Sequence, residues 1–536
     1  MKSSRTPVRG AATRLPAEYS LSRSSAPRHP ILHPFLIAAY PVIALLAHNI
    51  EEIKAVVALR ALLIALVAAG LLFLVLNAAF KERYKAALLT TLVLVLFFSY
   101  GHVYNYLDTH PFFGFHLGRH RILAPVWLAI LVWAGFSIYR THRLLESWNR
   151  AANLVSIIAL IMPIWQLGAF AARSMTSTAE AANPTNLAGL QLPSRSAAPD
   201  VYYIILDAYA RDDVLENEFE FDNTPFLNQL ESMGFYVARC SQSNYAQTQL
   251  SLSSSLNMNY LQNIDPGYSP ERKTRVGVEE LIRHGAVRQA FENLGYQTVA
   301  FETGFKGTQW EDADLYLTPN SDLLHNFQIA GGPNGFEVML LRNSAGLILA
   351  DGATVLPRFM QPDLDNPRRI HRDLILFDLE QLATLPKMPG PKFVFAHLVI
   401  PHPPYVFGPN GEFTDFDKQY VPGYRDQVTY LNSRLLELLP RMIADSTTPP
   451  VIILQGDHGS IGSKPGTRTS ILNAIHLPGD SGPVLYPSIS PVNTFRLVFN
   501  QYFGGEYEVL EDTSYYSVYT APFDFTVIPD RRSGCQ

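Results

Sequence analysis

Cysteine is almost absent from this chain of 536 residues. Its two cysteines, Cys240 and Cys535, are too few for a Cys-x-x-Cys zinc site or a disulfide framework. A single bridge would require the C-terminus to reach far back along the chain, so we expect both thiols to be free. The sequence also lacks a glycine-rich phosphate loop and a basic patch interleaved with aromatic residues. These absences argue against nucleic-acid binding.

Charged residues are missing from long stretches near the N-terminus. Five segments contain no Asp, Glu, Lys or Arg: 31–50, 61–80, 86–104, 122–139 and 153–172. Because about 20 apolar residues cross a bilayer core, the pattern predicts five spanning helices within a membrane domain at 31–173. Segment 31–50 contains two prolines and could instead be signal-like or interfacial. Its polar lead-in of 30 residues and missing cleavage site argue against a cleaved signal peptide.

The basic residues predict the orientation of these helices. The tail 1–30 and the loops 81–85 and 140–150 carry twelve Lys and Arg, against four in the two loops on the other side. The excess places the N-terminus in the cytoplasm, and five crossings then place residues 200–536 outside the cell or in the periplasm. Four histidines near the third and fourth helices are interpreted as interfacial residues rather than a metal site: His102, His110, His116 and His120.

The character of the chain changes after a linker at 174–199, which is rich in Ser, Ala, Asn and Pro. Short apolar runs such as 201–206, 392–400 and 451–455 alternate with amphipathic stretches such as 424–443. This alternation predicts an α/β domain over 200–536 with a central, largely parallel sheet covered by helices on both faces.

Reactive side chains lie near the ends of the predicted strands. They are Asp207 after the first run, His397 and His402 in FVFAHLVIPHPPY, Asp457 and His458 in VIILQGDHGS, and Thr248 at a predicted helix start. Sites in parallel sheets form beyond the carboxyl ends of the strands. Each residue has an ordinary alternative, since Asp and Thr often cap turns and helices. Together they form an N/O ligand set suited to zinc or manganese, with a hydroxyl that a divalent metal would activate as a nucleophile.

The same order of motifs resembles the sulfatase-like branch of the alkaline phosphatase superfamily, which includes sulfatases, lipid A phosphoethanolamine transferases and lipoteichoic acid synthases. The resemblance covers about 200–480 and includes SILNAIHLPG after the Asp-His strand. It implies an alkaline-phosphatase-like catalytic domain in which Asp207, Thr248, Asp457 and His458 bind the metal and Thr248 is the nucleophile. His402, and less surely His397, would bind the transferred group or a second metal.

Several departures from the family pattern limit what the resemblance implies. Neither Thr248 nor Cys240 is followed by the x-Pro-x-Arg of formylglycine sulfatases, which favours phosphate over sulfate esters. The transferase groups usually have Glu where Asp207 stands. Ser470 stands near the position of a histidine that those families often carry, and His476 in the next strand is interpreted as structural. Lys464 and Arg468 could bind substrate anions or could equally be solvated loop charges.

The sequence therefore predicts a membrane-bound, metal-dependent transferase or hydrolase. It would act on phosphate (or sulfate) esters at the outer face of the membrane through a covalent threonine intermediate. A membrane lipid or lipid-linked substrate is the expected partner, with a head group passed to a glycan or lipid acceptor. The alternative is a catalytically silent member that acts as a scaffold for envelope assembly or sensing. The segment 304–370 and the aromatic C-terminal tail have no assigned role.

Overall fold

The structure of the protein is a computed structural model. It describes residues 29–110, 117–141, 144–177, 189–192, 198–319, 332–351, 363–414, 419–479, 484–530, 532, 534 and 535. Residues 1–28 of the predicted cytoplasmic tail, His116 and most of the predicted linker lie outside the described residues.

A helix forms at each of the five uncharged segments. They are α1 (His33–Asn49), α2 (Leu59–Phe80), α3 (Arg83–Thr109), α4 (His120–Arg140) and α5 (Leu145–Ser177). Four described stretches are long and apolar enough to cross a membrane: Ala55–Phe80, Arg83–Thr109, His120–Arg140 and Leu145–Ser174. Helix α1 has 17 residues and contains Pro41. A fifth crossing by α1 stays a prediction.

The five helices run alternately in opposite directions. At one end of the bundle, the N–H of His33 donates to Asn153 Oδ1 at 2.9 Å, and Lys85 Nζ donates to the carbonyl of Tyr139 at 2.7 Å. The opposite ends of α2 and α4 contact the C-terminal domain, through Arg60 and His120. The basic loops and the C-terminal domain therefore lie at opposite ends of the bundle.

The C-terminal domain contains eleven labelled helices among the described residues. They are α6 (Asp212–Phe219), α7 (Thr224–Ser232), α8 (Thr248–Leu256), α9 (Leu261–Ile264), α10 (Val278–Arg283), α11 (Ala286–Asn293), α12 (Gly335–Arg342), α13 (Gly346–Asp351), α14 (Asn366–Leu382), α15 (Tyr420–Asp445) and α16 (Pro491–Tyr502). The strands are β1 (Val201–Leu206), β2 (Tyr236–Val237), β3 (Gln297–Phe301), β4 (Leu315–Leu317), β5 (Lys392–Leu398), β6 (Val451–Gly456), β7 (Asn473–His476), β8 (Tyr515–Val518) and β9 (Ala521–Val527).

Seven strands form the central sheet in the order β2-β7-β6-β1-β5-β3-β4. The pairs from β6 to β4 are parallel, whereas β7 pairs antiparallel with both β6 and β2. Strand β1 is the centre of the sheet and is buried along its whole length. The predicted membrane helices followed by a largely parallel α/β domain are thus confirmed.

Both faces of the sheet are covered, which explains the uninterrupted apolar runs of the central strands. Tyr202, Ile204 and Leu206 of β1 point into a core formed with α6, α7, α14 and α15. Tyr203 and Ile205 point into the opposite core, formed with α8, α11 and α16. The apolar faces of these helices explain the alternation in the sequence.

The prediction that both cysteines are free was wrong, because Cys240 and Cys535 form a disulfide. The C-terminal tail returns to the start of α6, where Arg211 makes two hydrogen bonds to Asp530, at 2.9 and 3.0 Å. Arg532 donates to Asp212 in the same region. These ion pairs bring the last residues back to the loop that contains Cys240, a path that the sequence does not reveal.

Candidate functional site

Three neighbouring strands place acidic and imidazole groups in one row. Strand β1 pairs with β5 and β6 in parallel register, so that Leu206 lies opposite both Leu398 and Gly456. Asp207 and Asp457 directly follow β1 and β6, and His397 is the penultimate residue of β5. The register therefore brings these three side chains to the same edge of the sheet.

Thr248 reaches this edge from the first turn of α8, where only 9% of the residue is exposed. Its Oγ1 lies 3.2 Å from Nε2 of His458. The preceding residue is fixed by the C-terminal hairpin, since Gln247 Nε2 donates to Ser517 Oγ at 3.0 Å and to its carbonyl at 3.2 Å. The hairpin of β8 and β9 thus helps to position the threonine.

The imidazole of His458 is the meeting point of the predicted ligands. Its Nε2 lies 3.5 Å from Asp457 Oδ2 and 3.8 Å from Asp207 Oδ1, in addition to the Thr248 hydroxyl. Its Nδ1 lies 2.8 Å from the carbonyl of Gly459. Donation of Nδ1–H to that carbonyl leaves the Nε2 lone pair directed at the cluster.

Several buried polar atoms in this cluster have no hydrogen-bond partner among the described residues: Asp207 Oδ1, Asp457 Oδ2 and His397 Nε2. One ligand atom from each of these three residues lies within 4.8 Å of the others. The second oxygen of Asp457 is satisfied, because the N–H groups of Ala208 and His458 donate to it at 3.0 and 2.9 Å. Unpaired buried carboxylate oxygens are costly, and a divalent cation would satisfy them. The residues therefore fit a metal ion.

The electrostatics of the cluster favour an ionised carboxylate and neutral imidazole. Burial alone would raise the pKa of Asp207, but His402, His397 and His458 outweigh it and hold that pKa below its usual range. Burial and the charge of Arg468 lower the pKa of His458. Metal ligands in proteins need this pairing of protonation states.

The remaining predicted histidines lie beside Asp207. The backbone N–H of His402 donates to the Asp207 carbonyl at 3.2 Å, and His402 Nδ1 lies 2.6 Å from the carbonyl of Pro403. On the other side, His397 Nε2 lies 3.5 Å from Asp207 Oδ2. The carboxylate of Asp207 thus faces His397 on Oδ2 and His458, at 3.8 Å, on Oδ1.

The two predicted anion-binding residues have different surroundings. Arg468 is only 7% exposed, donates from Nε to the carbonyl of Ala246, and places Nη2 3.5 Å from His458 Nε2. Its Nη1 is buried without a partner among the described residues. Lys464 is exposed on the same loop, and no described hydrogen bond or ion pair joins its side chain to the cluster. His476 lies in β7, with its ring bonded to the carbonyl of Pro450.

Sequence reasoning missed three residues that lie close enough to the site to interact with its groups. Thr308 lies with its Oγ1 2.9 Å from His397 Nδ1. His371 of α14 is close enough to His402 and Asp207 to interact electrostatically, and mainly burial lowers its pKa to about 4. Tyr519, between β8 and β9, interacts with the charges of Arg468 and Asp207. No motif marks them, because each belongs to a segment that reaches the site only through the fold.

No protein-family model matches this chain, and no curated protein matches it. Solved structures do resemble it. They include the C-terminal periplasmic domain of EcEptC from Escherichia coli in complex with Zn, at 11% identity and a TM-score of 0.38, covering 63% of this chain and 93% of that one. Another is the integral membrane lipooligosaccharide phosphoethanolamine transferase A from Neisseria meningitidis, at 11% identity and a TM-score of 0.36, covering 83% and 87%. The lipoteichoic acid synthase LtaP from Listeria monocytogenes matches at 14% identity and a TM-score of 0.34, covering 62% and 81%.

Proposed function

We propose that this protein is a membrane-bound enzyme that cleaves a phosphate ester and forms a covalent intermediate on Thr248. The observation that carries the proposal is that the Thr248 hydroxyl and the carboxylates of Asp207 and Asp457 all lie within 3.8 Å of Nε2 of His458. A hydroxyl nucleophile beside carboxylates that can bind a divalent cation is an arrangement suited to phosphoryl transfer.

The ligand atoms suit zinc or manganese, with Asp207, Asp457, His458 and Thr248 as ligands. His397 lies on the other side of Asp207 and could complete the set or hold a second ion. A bound divalent cation would lower the pKa of the Thr248 hydroxyl and neutralise charge on the attacked phosphoryl oxygens.

The protein's own groups supply orientation and anion binding. Thr248 is held at the start of α8, where the helix dipole also favours an anion. Arg468 has an unpartnered buried Nη1 beside the cluster, so its guanidinium is available to a phosphoryl oxygen. Attack by Oγ1 forms the O–P bond and breaks the ester bond to the leaving group. An acceptor hydroxyl, from a glycan, a lipid or water, then takes the phosphoryl group from Thr248.

The surroundings of the site support a lipid-borne substrate. Arg275 lies over the ring of Tyr519 at 4.8 Å and also forms an ion pair with Glu52, at 3.1 Å, in the turn after α1. Lys306 lies 4.6 Å from the ring of Phe170 in α5. The site is therefore close to the ends of two membrane helices, where a lipid head group would be within reach.

Two independent features of the chain support an extracytoplasmic location of the C-terminal domain. The positive-inside rule places the basic end of the bundle in the cytoplasm and the catalytic domain on the other side. The disulfide between Cys240 and Cys535 belongs to an oxidising compartment, such as the periplasm or the cell exterior. Both support a multi-pass protein of the plasma or inner membrane with an extracytoplasmic C-terminal domain.

The intact mass of the full-length protein tests the proposal directly. After incubation with membrane lipids and zinc or manganese, we expect a phosphoryl-containing adduct that peptide mapping assigns to Thr248. The Thr248→Ala protein should carry no adduct, and Thr248→Ser should keep the hydroxyl and form one. Full biological activity in Thr248→Ala would instead support the scaffold interpretation. An adduct on another residue would exclude Thr248 as the nucleophile.

A further inference from the structure

Helices α12 and α13, within residues 332–351, form a hairpin in the part of the chain whose role the sequence left open. This outer hairpin lies across the ends of α2, α3 and α4 that face the catalytic domain. Arg60 at the start of α2 donates from Nε to Glu337 Oε1 at 2.7 Å. His120 at the start of α4 places Nε2 2.9 Å from Asp351 Oδ2. The hairpin is thereby held at both of its ends.

The turn of the hairpin is pressed against the middle part of α3. The N–H of Ala345 donates to the carbonyl of Phe97 at 2.7 Å. A Cβ added at Gly101 would lie 2.4 Å from the carbonyl carbon of Asn343, so only glycine allows this approach. Phe97 is seven residues inside the uncharged stretch 86–104. At 1.5 Å per residue, the turn contacts α3 about 10 Å inside the outer end of that stretch.

The backbone N–H groups of the turn are paired within the protein. The N–H groups of five consecutive residues, 343 to 347, all have acceptors within the protein, at 2.7–3.1 Å. Four of the acceptors are carbonyl oxygens, and the fifth is the hydroxyl of Ser344, which accepts from Gly346. Non-helical backbone at membrane depth is tolerated only when its polar groups are paired in this way.

The hairpin also has an outward-facing apolar side. Phe336 is buried against Val42 and Ala61 of the membrane helices. Met339 and Leu349, in contrast, are 40% and 47% exposed. Leu63 of α2, three residues after the Arg60 that pairs with Glu337, is likewise exposed, at 55%.

We propose that the outer hairpin is seated in the outer leaflet and that lipid acyl chains cover Met339 and Leu349. Arg342 and Asp351 are the exposed charged residues of the hairpin among the described residues. Asp351 pairs with His120 at the outer end of α4, and the long side chain of Arg342 can extend to the head groups. The hairpin fixes the catalytic domain to the bilayer at a defined height, whatever reaction that domain performs.

Lipids with a photoreactive diazirine in the acyl chain test this seating in the full-length protein. After reconstitution in lipid nanodiscs and irradiation, peptide mass spectrometry should find lipid adducts within 332–351. Val527, which is 59% exposed at the end of β9, provides an apolar control on the soluble domain, where no adduct is expected. Adducts on the membrane helices without any within 332–351 would overturn the proposal.

A pair of glycine variants distinguishes loss of the hairpin's contact with lipid from a general loss of protein structure. Gly101→Leu should displace the turn and reduce hairpin adducts at least about fivefold while the membrane helices still label. Gly168→Leu is the matched control, because a Cβ at Gly168 in α5 has nothing within 4 Å, and its labelling should equal that of the wild type. Unchanged hairpin labelling in Gly101→Leu would contradict the role of the close approach. If Gly101→Leu does not fold, the wild-type labelling still decides the proposal.

Discussion

The hydroxyl of Thr308 lies 2.9 Å from Nδ1 of His397, and Nε2 of the same ring faces Asp207 at 3.5 Å. This contact joins a loop of no recognisable motif to the edge of the central sheet. A hydrogen bond to Nδ1 of an imidazole fixes the orientation of the ring and determines which of its two nitrogens carries the proton.

Removal of this contact should weaken the site without removing any ligand. We expect Thr308→Val to lower metal affinity or activity about 10- to 100-fold, the usual effect of losing a partner of a ligating histidine. Thr308→Ser keeps the hydroxyl and should restore most of the loss. Calorimetric metal titration of the two variants measures the effect. Equal affinity in Thr308→Val and the wild type would exclude an orienting role.

The unpaired carboxylates predict how stability depends on the metal. Asp457→Asn preserves the acceptor for the N–H groups of Ala208 and His458 and removes one negative charge from the cluster. The variant should have a Tm equal to or above the wild type in EDTA but should lose the stabilisation by added zinc or manganese. That stabilisation is about 2.7 kcal/mol at a hundredfold excess over Kd.

Thermal unfolding in detergent, with and without metal, makes this comparison. Asp445→Asn is the control, because Asp445 pairs with Lys387 on the surface, away from the cluster. It should retain the full metal-dependent rise in Tm. A normal metal response in Asp457→Asn would remove Asp457 from the ligand set.

Substitutions of two basic residues in one loop, Arg468 and Lys464, should differ in their effect on activity. Arg468 is buried beside His458, whereas Lys464 is exposed. Arg468→Gln should lower kcat/KM by about a hundredfold or more, because a charge-assisted hydrogen bond to the phosphoryl group is lost. Lys464→Gln should change it less than twofold. Steady-state kinetics on a phosphate ester compares the two, and a larger loss in Lys464→Gln would reverse the assignment.

A buried carboxyl far from the predicted motifs gives a pH dependence. Asp378 of α14 is 2% exposed, its Oδ1 has no described partner, and burial together with Glu302 raises its pKa well above the usual value. A raised pKa means that the folded state binds the proton more tightly than the unfolded state. Stability is therefore lost as pH rises above about 3.9, by at most about 1.4 kcal/mol per pH unit, until the folded pKa is passed.

The isosteric substitution Asp378→Asn should remove this part of the pH dependence. We expect its Tm to exceed that of the wild type at neutral pH and the difference to shrink as the pH falls. Asp373→Asn on the same helix is the control, since the side chain of Asp373 is 69% exposed. It should follow the wild-type curve. A constant difference between Asp378→Asn and the wild type across pH would refute the raised pKa.

The local sequence pattern was sufficient to predict the helices and strands but not how they pack together. The apolar run before Asp207 and the similar run before Asp457 predicted two buried strands, and the structure pairs them in parallel register, which brings both carboxylates together. The helix start at Thr248 was also readable from its sequence. The direction of the Thr248 side chain was not, because it depends on the packing of α8 against the C-terminal hairpin.

Contacts between distant segments could not be predicted. The disulfide joins residues 295 positions apart, and the sequence gives no sign of the ion pairs that return the tail to Arg211. His371, Thr308 and the outer hairpin lie in segments with no motif, where only the tertiary structure gives each residue a neighbour.

The sequence by itself determined the membrane helices and the parallel α/β domain and pointed to the candidate site residues, because hydrophobic periodicity and strand-end chemistry are local properties. The tertiary structure alone decided which atoms face the cluster, how the C-terminal domain contacts the helix bundle and where the C-terminus is bonded. Those arrangements depend on packing between residues hundreds of positions apart, and no local preference encodes them.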